Sequence, residues 1–411
     1  MSRVAVEEAG YDLRSVSSSV FVAAIGDVND RNTWSGIPYH MLCEARRQGL
    51  RFVGLPLKAS SKLWRTRRAM WNAATSIRGR RYGGYQFSES FLEALWRQAR
   101  RDLKRQTIIN CFQIYPKSLV EDSSIKKWYF IDQTLTQLFS DYGLGSKLDS
   151  ETIADALVRE AAGYRAATGI VTHSHWAADS LIRAYGIQPE KISIVVPGAN
   201  IDHDTYALWE ETQKKALSRR SSSDVIKLVF VGKDWRRKGL DRLLLGMSIA
   251  RTKGLQATLR IIGCHANSIP AELRRIPGVE WRGFIDKGVS SSEFVSLVSE
   301  CDIGCLLSRA EAGGIALREF QALGLVALAT DVGGVKDHVC EGAAVLVPPN
   351  VSPEAISDRL LALEGDRSYL SRLRLIAYER RADSLWKTSV AQLWQSITSP
   401  DRQGRSDAIP A

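Results

Sequence analysis

Short apolar runs alternate with segments of helical periodicity along most of this chain. In the first half the apolar runs cover residues 19–25, 107–112, 128–131, 169–172 and 192–196. Helical patterns at residues 151–167 and 177–185 lie between the later runs. Pro38 marks the first turn of an earlier helix, where a missing N–H costs nothing. Such alternation predicts a parallel sheet covered by helices.

The same alternation starts again after a polar interruption at residues 202–224, which ends in a Ser- and Arg-rich segment with the composition of a linker. Six further apolar runs follow, at residues 226–231, 257–262, 279–281, 303–307, 326–329 and 344–347. Helical patterns lie between them at residues 240–250, 291–299 and 316–323. We therefore predict an α/β protein with two Rossmann-like, doubly wound domains.

The predicted boundaries place a first domain at residues 1–204, a linker at 205–223 and a second domain at 224–385. A last helix and tail at 386–411 would return to the first domain. A length of 411 residues suits two cores better than one. Hydrophobic residues make up 45% and charged residues 25%, which excludes a disordered chain, a collagen-like fibre and a coiled coil.

No apolar run approaches the roughly 18 residues of a membrane-spanning helix. Residues 1–19 carry three acids and lack a basic-then-apolar signal pattern, so we expect a cytoplasmic protein. The six cysteines are scattered and form no CxxC pair, which favours reduced, mostly buried thiols over zinc sites or disulfides.

The net charge of +11 is concentrated in one segment. Residues 58–105 contain thirteen basic side chains and three acidic ones, which accounts for ten of the eleven charges. A local excess of positive charge indicates a local anionic partner.

The most informative loop follows the buried run at 303–307 and carries two acids, Glu311 and Glu319, on either side of Gly313 and Gly314. The glycines predict that a helix begins between the acids, so both can face one ligand. Free N–H groups at Gly314, Ile315 and Ala316 would lie at the positive end of that helix and suit a diphosphate. A carboxylate such as Glu319 can accept two hydrogen bonds from a ribose diol. On spacing alone, two solvated acids on an ordinary strand–loop–helix remain the alternative.

Three other loops are predicted to line the same crevice. Gly232 follows the run at 226–231, and four cations lie close behind it, at Lys233, Arg236, Arg237 and Lys238. A glycine pair follows the run at 326–329, and the loop at residues 27–38 follows the first run. No loop is decisive alone; together they predict a phosphate-binding crevice between two sheets.

These residues carry a resemblance to glycosyltransferase family 4, the retaining enzymes of GT-B fold. The family's two glutamates, separated by seven residues, are matched by Glu311 and Glu319, and its glycine-to-lysine loop by Gly232 through Lys238 and Gly239. Similar segments also stand at residues 33–36, 132–135, 174–180 and 195–200. The resemblance covers roughly residues 20–395.

The resemblance implies a role for each matching residue. Glu319 would hold the ribose hydroxyls of a nucleotide-sugar, and Glu311 the hydroxyls of the transferred sugar. Lys238 would contact the diphosphate, residues 313–316 would offer amides, and Gly36 would approach from the other domain. Base contacts would lie near Phe284.

The chain departs from the family's pattern at two points. Lys233 stands where members commonly have Arg, and because lysine lacks the bidentate guanidinium, Arg236 or Arg237 would supply part of that role. His175 stands where Glu is frequent. The acceptor-side candidates are Asp132, His173 and His175, which follow predicted strands; ordinary loop residues are the alternative for each.

The chemistry implied is a retaining transfer without a metal cofactor. Breaking a glycosyl–phosphate bond places negative charge on the diphosphate, which cations and helix amides can stabilise. The leaving phosphate would deprotonate the attacking hydroxyl. No Asp-x-Asp cluster stands where a metal would be needed; Asp27 and Asp30 are explained as loop and capping residues.

The basic segment contains a predicted amphipathic helix. Six apolar residues between 63 and 77 can share one helical face, and Arg65, Arg67 and Arg68 lie around it. Basic residues beside tryptophans suit an anionic membrane surface. The alternative is a helix packed on its own domain with solvated arginines. No recognition motif supports nucleic acid as a partner.

The sequence thus predicts a hexosyltransferase that uses a UDP- or GDP-sugar and a glycan or lipid-linked acceptor in bacterial cell-surface polysaccharide synthesis. It would be cytoplasmic, with the inner face of the membrane as the candidate docking surface. The alternatives are a nucleotide-sugar epimerase on the same fold and a catalytically silent membrane-docking partner subunit.

Overall fold

Two parallel six-stranded sheets form the framework of the chain in the computed structural model, which describes residues 19–58, 61–77, 83–216 and 225–398. The first sheet contains β1 (Val20–Ile25), β2 (Phe52–Leu57), β3 (Thr107–Asn110), β4 (Lys126–Ile131), β5 (Gly169–Thr172) and β6 (Ile192–Ile194). The second contains β7 (Ile226–Val231), β8 (Ala257–Ile262), β9 (Val279–Gly283), β10 (Ile303–Leu306), β11 (Val326–Thr330) and β12 (Ala344–Val347).

Helices cover both faces of each sheet. The first half carries α1 (Ile37–Arg47), α2 (Ser61–Ile77), α3 (Glu89–Trp96), α4 (Lys117–Val120), α5 (Leu135–Ser140), α6 (Ser150–Ala166), α7 (His175–Tyr185) and α8 (His203–Ala216). The second carries α9 (Leu240–Thr252), α10 (Ala271–Arg274), α11 (Lys287–Ser299), α12 (Ile315–Ala322), α13 (Val335–His338), α14 (Pro353–Gly365), α15 (Arg367–Glu379) and α16 (Trp386–Thr398). Within the described ranges, no helix is long and apolar enough to cross a membrane.

The strand order explains where a ligand site can form. It is β2-β1-β3-β4-β5-β6 in the first sheet and β12-β11-β10-β7-β8-β9 in the second. In the second sheet the order reverses between β7 and β10, which are neighbours although β8 and β9 lie between them in sequence. Ligands of doubly wound sheets bind beyond the carboxyl ends of the strands at such a reversal.

The strands of the first sheet are buried on both faces, between two layers of helices. Phe21 and Ile108 contribute to one buried cluster, whereas Val22 and Ile109 contribute to the cluster on the opposite face. Successive strand residues point to opposite faces, so a strand buried on both sides is a continuous apolar run. This is why most strands were predictable within one or two residues.

The edge strand β2 was not predicted. Its sequence contains Gly54 and Pro56, which are poor strand residues. Because β2 pairs only with β1 and lies at the sheet edge, the missing N–H of Pro56 is tolerated.

Helix α8 begins two residues before the predicted linker at residues 205–223 and covers its first part, so the linker contains more regular structure than its composition indicated. Its Tyr206 and Trp209 are buried in a cluster with Val295 and Phe320 of the second half. The rest of that segment, residues 217–223, lies outside the described residues. The polar residues of α8 form the exposed face of a packed helix, so polar composition alone did not distinguish this helix from a linker.

Helix α16 crosses back onto the first half. Trp386, Val390 and Leu393 join the buried cluster of β1 and α1, and the rings of Trp394 and Phe52 lie 5.5 Å apart. Ser389 Oγ also donates a hydrogen bond of 2.6 Å to the Val196 carbonyl. The two halves are therefore tied at their back as well as across the cleft.

Candidate active site

The loops after the strands of both sheets line one cleft, which contains a cavity of about 490 Å³. The second half contributes residues after β7 and β10, the two strands at the point of reversal. The first half contributes the loop after β1 and the ends of β4 and β5. The cavity therefore lies where the topology places a ligand site.

The loops after β7 and β10 are joined to each other through their backbones. Arg309 N–H donates a hydrogen bond of 2.7 Å to the Arg237 carbonyl. Gly239 has a φ of +72°, and a Cβ there would lie 1.8 Å from the Leu307 carbonyl oxygen. Only glycine allows this approach, which brings the cations of one loop to the acid of the other.

Glu311 lies on the loop after β10 and is buried with three donors around it. Lys238 Nζ lies 3.1 Å, Arg237 NH1 3.3 Å and Ser308 Oγ 3.2 Å from its Oε2. Burial alone would raise the pKa of Glu311, but the two cations hold it below the ordinary value. Glu311 is therefore an ionised acceptor at the cavity wall.

Glu319 lies in the second turn of α12, is 1% exposed and accepts a hydrogen bond from Lys287 Nζ. Burial raises the pKa of Glu319, and the ammonium group of Lys287 offsets part of that rise. Both acids line the same cavity, as their spacing around the glycine pair predicts.

The start of α12 presents backbone N–H groups to the cleft. Gly314 precedes the helix with a φ of 91°, and no side chain caps the helix. Gly313, Gly314, Ile315 and Ala316 line the cavity between the two acids. The Ala312 N–H is already bonded, at 2.6 Å, to the hydroxyl oxygen of Tyr142 from the first half.

The four basic side chains that follow β7 differ in position and in the groups that they contact. The stem of Lys238 crosses Gly232, where a Cβ would lie 2.4 Å from it, and its ammonium group reaches Glu311. Lys233 Nζ lies 4.2 Å from the ring centroid of Phe284, which is 44% exposed at the cavity rim. Arg236 stacks on Trp235 and is absent from the described lining, so Arg237 is the guanidinium that this loop contributes to the site.

The loop after β1 forms the facing wall in a strained conformation. Trp34 and Ser35 have φ values of 43° and 58°, a region that costs such residues about 1–3 kcal/mol each. Asn200 Nδ2 donates a hydrogen bond of 2.6 Å to the Ser35 carbonyl, and Trp386 Nε1 donates one of 2.9 Å to Asn200 Oδ1. Helix α16 thereby supports the wall.

Gly36 has a supporting place at this wall. Its neighbours Ser35 and Ile37 line the cavity, whereas Gly36 itself is not among the described lining residues. A Cβ at Gly36 would lie 2.9 Å from the Arg31 carbonyl, and its φ is 87°. It shapes the turn into α1 and contributes no surface to the cavity.

The acceptor-side candidates separate into two that reach the cavity and one that does not. Asp132 and His173 line it from the first half. Burial raises the pKa of Asp132 to about 6 and lowers that of His173 well below its usual value. His175 is 61% exposed, lies outside the described lining and bonds to Asp337 of the second half.

Comparison with known proteins agrees with this geometry. Residues 211–381 match the family model for glycosyl transferases group 1. The carboxyl-terminal half of the chain is thus similar to this family. The D-inositol 3-phosphate glycosyltransferase 1 of Catenulispora acidiphila is 26% identical over 60% of this chain and 60% of its own. The D-inositol 3-phosphate glycosyltransferase of Corynebacterium glutamicum is 30% identical over 52% and 53%. The chain thus spans little more than half the length of these relatives.

Solved structures match nearly the whole chain. Sucrose-phosphate synthase from Thermosynechococcus elongatus has a TM-score of 0.64 at 16% identity, covering 92% of this chain and 98% of its own. Anabaena HepE in complex with UDP and glucose has a TM-score of 0.59 at 13% identity, covering 93% and 100%. These likenesses concern the fold, and the predicted GT-B fold is confirmed.

Several residues at this site were not predicted. His40, Tyr142, Asn200, Lys287 and His338 line the cavity. Two of them had a signal in the sequence: Asn200 ends the segment at residues 195–200 that carries the resemblance, and His338 stands four residues after the second glycine of the loop behind β11. The others come from elements remote in sequence, and their approach depends on how the two halves pack.

Helix α2 carries Arg65, Arg67 and Arg68 on a surface distinct from the cleft. Arg65 and Arg68 are exposed, and Arg67 is half-buried beside a shallow groove that also contains Met70 and Trp71. The predicted single apolar face is wrong. Five of the six apolar residues have described side chains. Trp64 and Trp71 pack on the core, whereas Met70, Ala74 and Ile77 are exposed to solvent.

Proposed function

We propose that the chain transfers a hexose, with retention of configuration, from a nucleotide-sugar to a glycan or lipid-linked acceptor. The observation that carries this proposal is the pair Glu311 and Glu319 in one cavity, with the uncapped start of α12 between them. Glu319 would accept hydrogen bonds from the ribose diol, and Glu311 from the hydroxyls of the transferred sugar.

The charge distribution supports phosphate departure at this site. Breaking the glycosyl–phosphate bond places negative charge on the diphosphate oxygens, and Lys238, Arg237 and Lys233 lie within the same lining. Backbone N–H groups at the start of α12 add a fixed positive potential. With that charge supplied by the protein, we propose transfer without a metal cofactor, in which the leaving phosphate takes the proton of the attacking hydroxyl on the same face.

The proposed class of donor, a nucleotide-sugar, is supported by the geometry of the site and by the names of the similar proteins. HepE was solved with UDP and glucose, and the relatives of highest similarity above are named as glycosyltransferases. Phe284, exposed at the rim beyond Glu319 and Lys233, offers an aromatic surface suited to a base. A UDP- or GDP-hexose is therefore the donor we propose.

The acceptor side rests on the first half. Asp132 and His173 would face the attacking hydroxyl, and the arginines of α2 would meet an anionic membrane or lipid-linked acceptor. An acceptor of this kind would place the enzyme in bacterial cell-surface polysaccharide synthesis, at the inner face of the membrane.

The test is nucleotide release from a panel of UDP-, GDP- and ADP-hexoses, measured with and without bacterial lipid extract. The wild type should release one nucleotide class, faster with extract. Glu319→Gln should slow release about 10-fold or more, because the amide keeps one acceptor oxygen where the carboxylate has two and because the charge is lost. Glu272→Gln, an exposed acid of the same half, is the matched control. Equal turnover by Glu319→Gln and the control would refute the site; turnover of the sugar-nucleotide into an epimer without acceptor would favour the epimerase.

A further inference from the structure

His338 lies beneath the glycine loop at the end of α13 and takes no part in the donor contacts described above. It is fully buried and lines the cavity. Its Nδ1 lies 3.0 Å from the Gly334 carbonyl oxygen, which can only accept a hydrogen bond. Nδ1 must therefore carry the hydrogen. Burial lowers the pKa of His338 to about 4, so the ring is neutral and Nε2 carries a lone pair.

That lone pair has no partner among the described residues. Nε2 lies directly against Gly313, where a Cβ would be only 2.4 Å away. A buried acceptor without a hydrogen bond costs about 1–3 kcal/mol, so an orphan at a cavity wall points to a ligand that supplies the donor. Glycine at 313 leaves the ligand a way to reach it.

A second imidazole meets the same cavity from the first half. His173 is 1% exposed, and its Nε2 is also without a partner among the described residues. Trp34 and Phe130 hold its ring at centroid distances of 5.4 and 4.3 Å, so it cannot turn away. Two rigid, neutral imidazoles from opposite halves thus line one cavity with unsatisfied nitrogens.

We propose that His338 Nε2 binds a hydroxyl of the transferred hexose and so selects a sugar that carries a hydroxyl there. This inference rests on the proposed function. A lone pair repels phosphate oxygens, which are acceptors too, and attracts hydroxyl donors, so the partner is the sugar and not the diphosphate. His338 and Gly313 belong to the same half as Glu311, which places the contact on the donor wall.

The experiment compares binding of UDP, GDP and ADP with binding of UDP-, GDP- and ADP-glucose by calorimetry, in wild type and two variants. His338→Asn keeps an N–H near the Gly334 carbonyl but leaves nothing at the Nε2 position. His338→Gln can place its amide oxygen close to that position. His265→Asn, an exposed histidine of the same half, is the control.

We expect the gain in affinity from nucleoside diphosphate to nucleotide-glucose to fall about 10-fold in His338→Asn and to return in large part in His338→Gln. Affinity for the diphosphate should change less than about 2-fold in both. Equal loss of diphosphate and sugar affinity in both variants would mean a structural role and overturn the inference.

Two further outcomes are also decisive. If the sugar's contribution is unchanged and only the lipid-extract dependence of nucleotide release weakens, the hydroxyl belongs to the acceptor, and the inference about the donor sugar fails. If the wild type binds none of the six nucleotides, the proposed function itself fails. If the wild type binds them and the His338 variants bind them equally well, the proposed function stands and the inference about His338 fails.

Discussion

Glu311 and Glu319 are the same residue type in two different electrostatic settings. Two cations hold the pKa of Glu311 below its ordinary value, whereas burial raises that of Glu319, which has Lys287 as its partner. Glu311 therefore stays ionised more firmly and also orders Lys238 and Arg237. Its replacement should disturb the cations as well as the sugar contact.

Glu311→Gln should lower kcat/KM about 100-fold, because the neutral amide no longer fixes the two cations that face the leaving diphosphate. The measurement is steady-state nucleotide release with the donor identified by the panel. Glu272→Gln, which changes an exposed acid, should retain wild-type kinetics. Loss of less than about 2-fold in Glu311→Gln would contradict its assigned place.

Gly313→Ala should lower the free energy of unfolding by about 1–3 kcal/mol, because the new Cβ would meet the buried ring of His338 at 2.4 Å. Gly365→Ala is the matched control, since a Cβ there has open space within 4 Å. Thermal unfolding followed by circular dichroism measures both. Identical unfolding midpoints for the two variants would contradict this prediction, because they would show that the loop around Gly313 accommodates the methyl group without loss of stability.

The sequence predicted the residues whose signal is local. The two glutamates and the glycines between them lie within nine positions, so their spacing predicted that both can face one ligand, with two solvated acids as the alternative. Lys287 and Tyr142 gave no such signal, because their partners, Glu319 and Ala312, stand 32 and 170 positions away. Gly36 does not line the cavity although Ser35 and Ile37 on either side of it do. The sequence does not show which of three adjacent residues faces a cavity, because that depends on the local direction of the backbone.

At the scale of the elements, α2 shows how a helical pattern can be misjudged from sequence. Trp64 and Trp71 lie seven positions apart, two turns on one face, and pack on the core. Met70 and Ile77 repeat the same spacing about 100° away and face solvent, with 66% and 86% exposure. Of the three arginines of this helix, Arg67 lies on the side of the exposed pair, beside the groove that contains Met70, whereas Arg68 lies over the ring of Trp64.

Replacing Arg65, Arg67 and Arg68 together by Ser should weaken binding to anionic liposomes about 100-fold, at roughly 1 kcal/mol for each cation near the surface. Nucleotide affinity should survive, because α2 lies apart from the cleft. Replacing three exposed arginines of the other half, Arg275, Arg359 and Arg372, removes the same charge and should leave liposome binding intact. Parallel loss of nucleotide and liposome binding in the α2 variant would refute this division.

Helices α5, α6 and α7 meet around one buried acid. Glu160 accepts hydrogen bonds from the Leu135 N–H, the Tyr164 hydroxyl and the Tyr185 hydroxyl. Burial raises its pKa to about 8. In the folded protein Glu160 therefore keeps its proton at pH values where the unfolded chain has lost it.

The stability that Glu160 contributes should be complete below about pH 4.5 and decline as pH rises toward 8, at about 1.4 kcal/mol for each unit of pKa shift. Glu160→Gln should remove this decline. Thermal unfolding of both proteins from pH 5 to 8 measures it, with Glu272→Gln as the control. A difference between wild type and Glu160→Gln that stays constant with pH would contradict the raised pKa.

At the scale of the whole molecule, contacts across the cleft join the two halves. Tyr142 bonds to the loop of Glu311, His175 to Asp337, and Arg31 NH1 to the Lys287 carbonyl at 2.9 Å. These contacts connect the walls that would hold donor and acceptor. The repeated alternation of runs predicted two doubly wound domains, but it carries no information on how they face each other.

Hexosyl transfer with retention at the Glu311 and Glu319 site is the proposal on which the predictions for activity depend. The most direct test is the anomeric configuration of the transferred sugar, determined by NMR of the product formed from the donor that the panel identifies and bacterial lipid extract. We predict that an α-linked nucleotide-sugar gives an α-linked product in the wild type, and that Glu319→Gln forms product about 10-fold more slowly or slower still. An inverted linkage, an epimerised nucleotide-sugar without transfer, or full product formation by Glu319→Gln would contradict the account.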